Sequence, residues 1–181
     1  RRGTDGPDPH VWMDPTLAAQ MVATIGEALA AADTRNAQGY RDRASSLRAT
    51  LGELDRELAS QIAQVPPSRR TIVTDHDAFR SFTDRYAIRV LGTIIPSVSS
   101  GADPSARDLT ALATRIRQGG ATAVFAESGL DATLARALAR ESGVTLGATL
   151  YADSLGPAGS PATTYLAMMR HNMRALVDGM R

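Results

Sequence analysis

The segment that decides the fold is residues 35–67, RNAQGYRDRASSLRATLGELDRELASQIAQVPP. Its apolar side chains are spaced by threes and fours with polar residues between them, and they are Tyr40, Ala44, Leu47, Leu51, Leu54, Leu58, Ile62 and Val65. Pro66-Pro67 ends the run, because proline has no backbone N–H with which to continue a helix. The pattern predicts one amphipathic helix from about Arg35 to Val65, roughly 45 Å long at about 1.5 Å per residue. This length favours a connecting strut, with pairing to a partner helix as the alternative.

The residues before this helix predict a loop and a shorter helix. Residues 1–14 are rich in Gly, Asp and Pro, which is typical of a loop. Asp14-Pro15 then provides a helix start, since Asp accepts hydrogen bonds from free N–H groups and Pro tolerates the first helical position. Four residues, Leu17, Met21, Ile25 and Leu29, recur at every fourth position and predict one buried face.

The residues after Pro67 alternate between β-rich and helical patterns. Strands are predicted at 71–74, 88–95, 122–126 and 145–151, and helices at 77–86, 104–118, 131–142 and 161–177. This order predicts an α/β fold in which a four-stranded, mainly parallel sheet is flanked by helices. In such sheets ligands bind beyond the carboxyl ends of the strands.

Composition narrows the function classes. Of the 181 residues 43% are hydrophobic and 22% charged, which is enough apolar surface for a soluble globular core. The net charge is +1 without basic clusters, which argues against a nucleic-acid or anionic-membrane surface. The chain has no Cys, so thiolate metal sites, disulfides and Cys nucleophiles are excluded. No signal peptide is visible, so an exported protein would need a targeting segment outside this sequence.

Three dispersed residues are the candidate metal ligands. His10 lies in the loop before the first helix, His76 follows the first predicted strand, and Asp153 follows the last one. Imidazole nitrogen and carboxylate oxygen together suit Zn²⁺, with Mn²⁺ or Fe²⁺ as alternatives. Each also has a local explanation: His10 could cap a helix, His76 could be a surface residue, and Asp153 could close a turn.

Further polar residues around these candidates predict a supporting shell. Asp75, Asp77 and Asp14 could accept a hydrogen bond from a metal-binding imidazole, although helix capping explains Asp14 and Asp77 equally well. Glu127 follows a predicted strand and faces the same rim, with a helix-start role as its alternative. His171 lies in the middle of the last predicted helix and is expected to be structural or exposed.

Four sequence strings, DPHVWMDP, TDHDAF followed by FTDRY, VFAES and YADSLG, occur in this order with the long helix between the first two. They resemble the motifs of metal-specific periplasmic solute-binding proteins, the zinc and manganese receptors of ABC importers. The resemblance implies two α/β lobes joined by a long helix, with the metal between them. It places ligands at His10, His76 and Asp153, and a further histidine in a segment upstream of this chain.

The resemblance also predicts a domain division and a preferred ion. Residues 1–33 would be a remnant of the N-terminal lobe, 34–66 the connecting helix and 67–181 the C-terminal lobe. Histidine rather than glutamate at position 76 favours zinc over manganese. With a lobe outside the chain, self-association through the exposed long helix is a further expectation.

The expected function is that of a non-enzymatic, periplasmic or otherwise extracytoplasmic receptor, which delivers zinc or manganese to the membrane permease of an ABC transporter. One alternative is a zinc-dependent hydrolase with a His₂-Asp site and Glu127 as general base, although the chain has no HExxH motif. The other alternative is an interaction module in which the Leu-striped helix pairs with a partner chain.

Overall fold

The structure, a computed structural model, describes residues 8–95 and 104–181. Its helices are α1 (Pro15–Ala32), α2 (Ala37–Ile62), α3 (Arg80–Arg85), α4 (Ala106–Gly119), α5 (Thr133–Ser142) and α6 (Tyr165–Met180). Its strands are β1 (Thr71–Thr74), β2 (Arg89–Thr93), β3 (Ala123–Val124) and β4 (Thr145–Leu146). Short 3₁₀ turns lie at Val11–Met13, Thr34–Asn36 and Pro67–Arg69. None of the helices in the described ranges has the length and apolar character needed to cross a membrane.

The strands form one sheet in the order β2-β1-β3-β4, and every pair is parallel. Neighbouring residues on a strand point to opposite faces, so Ile72 packs with α2 and α6 while Val73 packs with α4 and α5. The two faces thus have separate cores, both covered by helices. The predicted α/β fold with a four-stranded sheet is confirmed.

The long helix is present but shorter than predicted. A 3₁₀ turn occupies Thr34–Asn36, and α2 runs only from Ala37 to Ile62. Past Ile62 the backbone tightens, since Val65 N–H donates to the Ile62 carbonyl at 3.0 Å. The C-terminal half of α2 enters the core, whereas Leu47 in the N-terminal half remains 45% exposed.

The prediction that the regularly spaced apolar residues of the first helix form a buried face is wrong. Met21, Ile25 and Leu29 are 42%, 54% and 43% exposed. The reason lies on the other face of α1, where Gly26 and Ala30 are buried. A Cβ at position 26 would lie only 2.6 Å from the Ala44 Cβ, so small residues allow the close approach of α1 and α2 and turn the larger side chains outward.

The last two elements also differ from their predicted bounds. The predicted strand 145–151 is interrupted after Leu146 and resumes only as a bridge between Leu150 and Glu127. Between them lies Gly147, where a Cβ would be 2.3 Å from a ring carbon of Phe125. Helix α6 starts at Tyr165 rather than near 161, because the Thr164 hydroxyl caps the helix by accepting from Ala167 N–H at 3.2 Å.

Three other elements start or end within a few residues of their predicted bounds. Strand β2 is shorter than predicted, and α3 begins only at Arg80. Helix α4 begins at Ala106 with a capping box between Ser105 and Asp108. The sequence Asp103-Pro104 predicts the start of this helix with Asp103 as its cap, and Asp103 lies outside the described residues.

Candidate metal site

The three predicted ligands meet at one point of the structure. His10 Nε2 lies 3.3 Å from Asp153 Oδ1, and His76 Nε2 lies 3.4 Å from Asp153 Oδ2. One ligand atom from each residue falls within 4.8 Å of the other two. The two imidazole rings stand nearly perpendicular at a centroid distance of 5.5 Å. Residues separated by most of the chain therefore present two nitrogens and a carboxylate to the same small volume.

His76 is held from behind by two acidic residues. It follows β1 at the carboxyl edge of the sheet and is 1% exposed. Its backbone N–H donates to Glu127 Oε1 at 3.0 Å, and its Nδ1 lies 3.0 Å from Glu127 Oε2. The Glu127 backbone N–H in turn donates to Asp75 Oδ2 at 2.7 Å. This chain of contacts fixes the ring so that Nε2 faces Asp153.

Both ring nitrogens of His76 are buried without a hydrogen bond of regular geometry to any described residue. Buried polar atoms are normally paired, because leaving one unsatisfied costs about 1–3 kcal/mol. For Nδ1 the close Glu127 carboxylate offers partial compensation. For Nε2 a bound cation shared with His10 and Asp153 would supply the missing partner.

His10 is held by a different set of contacts. The Asp8 carboxylate accepts from the His10 backbone N–H at 2.9 Å and lies 2.9 Å from His10 Nδ1. The neighbouring Trp12 donates from Nε1 to the Ala152 carbonyl at 3.2 Å, and its own carbonyl accepts from the Tyr165 hydroxyl at 2.7 Å. The two bonds of Trp12 fasten the loop before α1 to the loop that carries Asp153 and to the start of α6.

Asp153 is the exposed member of the group, with 51% of its side chain accessible. Its loop is nevertheless anchored, since the buried Asn172 side chain accepts from Tyr151 N–H and donates to the Tyr151 carbonyl, at 3.0 and 2.7 Å. Because both imidazoles are buried and the Asp153 carboxylate is accessible, the group is open to solvent on the Asp153 side. A zinc ion held by three protein ligands has room there for a fourth.

Burial, nearby charges and hydrogen bonds shift the pKa values of His76, Asp75 and Asp8. Burial alone would lower the pKa of His76, but the Glu127 carboxylate, with Asp153 and Asp75, raises this pKa above its ordinary value. Burial raises the pKa of Asp75 to about 6, and the charge of Glu127 adds to the increase. Burial would also raise the pKa of Asp8, but its hydrogen bonds from His10 and Ser81 hold that pKa below the ordinary range.

Some predicted neighbours lie elsewhere. The Asp77 carboxylate pairs with Arg80 rather than with either histidine. Asp14 caps α1 by accepting from Thr16 N–H at 2.7 Å. His171 lies on α6, where its Nε2 contacts the Thr149 carbonyl at 2.8 Å, so the expected structural place of this residue agrees with the geometry.

Asp8, Ser81 and Asn172 were not identified from the sequence. A signal for Asp8 exists, because an aspartate two residues before a histidine can reach the backbone N–H of that histidine. Ser81 and Asn172 act across 73 and 21 residues of sequence, and no local pattern marks such contacts.

Among relatives, the chain is 32% identical over 179 residues to "Manganese-binding lipoprotein MntA" of Bacillus subtilis, covering 96% of this chain and 58% of that protein. It is 33% identical over 175 residues to "Zinc-binding protein TroA" of Treponema pallidum, covering 94% of this chain and 56% of that protein. The chain thus spans a little over half the length of these curated relatives.

Solved structures show the same fold. The periplasmic zinc binding protein TroA from Treponema pallidum superimposes with a TM-score of 0.86 at 30% identity, over 96% of this chain and 64% of that one. A manganese-bound periplasmic metal binding protein from candidatus Liberibacter asiaticus gives 0.87 at 26% identity, over 99% of this chain and 66% of that one.

The resemblance seen in the motifs is confirmed at the level of the family. The family described as "Zinc-uptake complex component A periplasmic" matches residues 1–179, which is nearly the whole chain. The chain belongs to this zinc-uptake component A family.

Proposed function

We propose that this protein is an extracytoplasmic receptor that captures a divalent transition-metal ion and delivers it to the membrane permease of an ABC importer. The observation that carries the proposal is the convergence of two buried imidazole nitrogens and one carboxylate within 4.8 Å. The names of the relatives support the class of cargo, since they describe zinc-, manganese- and iron-associated binding proteins.

His10, His76 and Asp153 are the proposed ligands, and Glu127 and Asp75 the proposed support for His76. A carboxylate on the Nδ1 side of a ligating imidazole orients the ring and strengthens Nε2 as a donor. Glu127 lies on that side at 3.0 Å, and Asp75 fixes the backbone of Glu127. We propose no such support from Asp77, which pairs with Arg80.

Zinc is the preferred cargo and manganese the alternative. Two imidazoles and one carboxylate form a donor set that suits Zn²⁺ well, whereas Mn²⁺ favours sites richer in oxygen. Both ions occur among the names of the relatives, so the donor set of this chain carries the preference.

The proposed receptor includes residues beyond these three ligands and beyond this chain. The relatives are longer than the chain, and a fourth ligand and the closing surface would come from the remaining length. Within the chain, residues 1–33, 34–66 and 67–181 are the proposed lobe remnant, connecting helix and C-terminal lobe. The comparisons give no support to self-association through the exposed helix, and the proposal does not include it.

The position of Glu127 argues against the hydrolase alternative, in which this residue would be the general base. Glu127 would have to reach a water on the Nε2 side of His76, where an ion would be bound. Instead both of its oxygens face the backbone N–H and Nδ1 of His76, and its side chain is 2% exposed. The relatives carry names of binding proteins, which also favours a receptor.

Calorimetric titration of the chelator-stripped chain with Zn²⁺ and with Mn²⁺ tests the proposal. We expect one ion per chain, with zinc bound more tightly, and loss of that binding in His76→Ala. His171→Ala is the matched control, because it also removes an imidazole, but one that lies against the Thr149 carbonyl and the Tyr151 ring and is not part of the three-residue group. Equal zinc binding by the wild type and His76→Ala would contradict the proposed site, as would loss of binding in His171→Ala alone.

A further inference from the structure

The two histidines of the site are oriented in the same manner. Each Nδ1 faces a carboxylate oxygen, at 2.9 Å for His10 and 3.0 Å for His76. Each Nε2 faces Asp153, at 3.3 and 3.4 Å. The carboxylate behind His76 is Glu127, which the proposed function already includes. The carboxylate behind His10 is Asp8.

Both carboxylate oxygens of Asp8 are engaged, which a simple turn residue does not require. One oxygen, Oδ1, accepts from the His10 backbone N–H and also contacts His10 Nδ1. The other, Oδ2, accepts from the Ser81 hydroxyl at 2.8 Å. Ser81 belongs to α3, so the carboxylate joins the loop before α1 to a helix of the sheet region. Only 10% of the Asp8 side chain is accessible.

We propose that Asp8, held by Ser81, is a positioning residue that keeps the His10 imidazole in the Nδ1–H tautomer and leaves the Nε2 lone pair for the ion. A carboxylate at Nδ1 favours a proton there. The consequence for a metal depends on the proposed function, whereas the consequence for the tautomer of His10 does not.

The shorter of the two contacts of His10 determines the tautomer. Asp153 also offers an oxygen to Nε2, but at 3.3 Å, and half of its side chain is open to solvent. Asp8 is closer at 2.9 Å, is more buried, and has its second oxygen fixed by Ser81. Competition between these two carboxylates therefore places the proton at Nδ1.

The chain contains a matched control for the turn itself. Asp131 accepts from Thr133 N–H at 2.9 Å, two residues later, in the same local arrangement as Asp8 and His10. Its carboxylate also accepts from the Thr133 hydroxyl, and no imidazole is involved. Asp131→Asn thus reports what loss of such a turn carboxylate does by itself.

The first experiment reads the tautomer without metal. Long-range ¹H–¹⁵N spectra of the chelator-stripped protein at about pH 8, where an ordinary imidazole is neutral, distinguish a protonated Nδ1 from a protonated Nε2. We expect the Nδ1–H form of His10 in the wild type, a mixed population in Asp8→Ala, and an intermediate result in Ser81→Ala. Predominant Nε2–H in the wild type would overturn the proposal.

The second experiment reads the affinity for Zn²⁺ by competition with a chromophoric chelator. Loss of a carboxylate that orients a ligating histidine commonly weakens metal affinity about 10–100-fold, and we expect that range for Asp8→Ala. Asp8→Asn should recover part of the loss, because its amide oxygen can still accept from Nδ1–H. Asp131→Asn should leave the affinity unchanged.

The two readouts separate the possible failures. A wild type that shows the Nδ1–H form but binds no zinc would remove the proposed function and leave the role of Asp8 in place. If Asp8→Ala and Asp131→Asn have the same affinity as the wild type, then the positioning role is wrong while the receptor stands. Circular dichroism of each variant verifies that the fold is retained.

Discussion

Large apolar side chains are buried in the sheet core but partly exposed on α1 and on the N-terminal half of α2. Phe125 on the sheet is fully buried, with Gly147 and Gly179 leaving space for its ring. Ile25 on α1 belongs to an equally regular apolar pattern but is 54% exposed. The comparison shows that a periodic pattern identifies an apolar face without identifying what covers it.

The candidate site lies where these two regions meet. His10 comes from the loop that enters α1, whereas His76 and Asp153 come from the carboxyl edge of the sheet. On the sheet side His76 is 1% exposed and backed by Glu127. The α1 side is fastened to it through Asp8 and Trp12.

The largest stability effect is expected in the sheet core. Phe125→Ala removes a ring that fills the space above two glycines, and truncation of a buried Phe costs about 3–5 kcal/mol of unfolding free energy. Urea denaturation followed by circular dichroism measures the loss. Phe125→Leu retains most of the volume and should lose less. A small effect of Phe125→Ala would break the contrast between the two regions, because it would show that the sheet core is loosely packed.

An intermediate effect is expected where α2 meets α3. The Asp55 carboxylate accepts from Arg85 Nε at 2.9 Å and from the buried Tyr86 hydroxyl at 3.1 Å. The Arg85 guanidinium, opposed by partial burial, lowers the pKa of Asp55 below its ordinary value. Since half-exposed Arg85 weakens the pair through solvent screening, we expect Asp55→Asn to lose about 1–2 kcal/mol at neutral pH.

The pH dependence of that loss has a definite sign. A carboxylate whose pKa is lower in the folded state stabilises the protein above its unfolded pKa of about 3.9, and the contribution disappears as pH falls through the folded value. The difference in unfolding free energy between wild type and Asp55→Asn should therefore be full at about pH 6 and shrink as the pH falls below about 4. A difference that is constant over this range would mean that the charge of Asp55 contributes nothing.

Sequence reasoning identified the elements that are defined locally. The helix stripe from Tyr40 to Val65 and the alternation after Pro67 predicted the fold, because side-chain periodicity is set by the backbone itself. The three candidate ligands were predicted from motif resemblance and from strand ends, and the structure brings them together. The role of Ser81 was not predictable, since it depends on how α3 packs against the loop before α1. The outward face of α1 was missed because Gly26 decides which side of the helix approaches α2, and a single small residue does not alter the apolar period.

The smallest stability effect is expected on the exposed face of α1. Ile25→Ala removes a side chain that is 54% exposed, and substitutions at exposed sites usually change stability within about 0.5 kcal/mol. Ile72→Ala on β1 is the matched comparison, because the same atoms are removed from a fully buried position and the expected loss is about 2–5 kcal/mol. Urea denaturation of both variants at equal protein concentration measures the difference.

Similar losses in the two variants would mean that the α1 face is covered in solution by something outside the described residues. A near-zero loss at Ile25 alone sharpens the comparison, since it shows that this side chain adds nothing to the stability of the chain by itself.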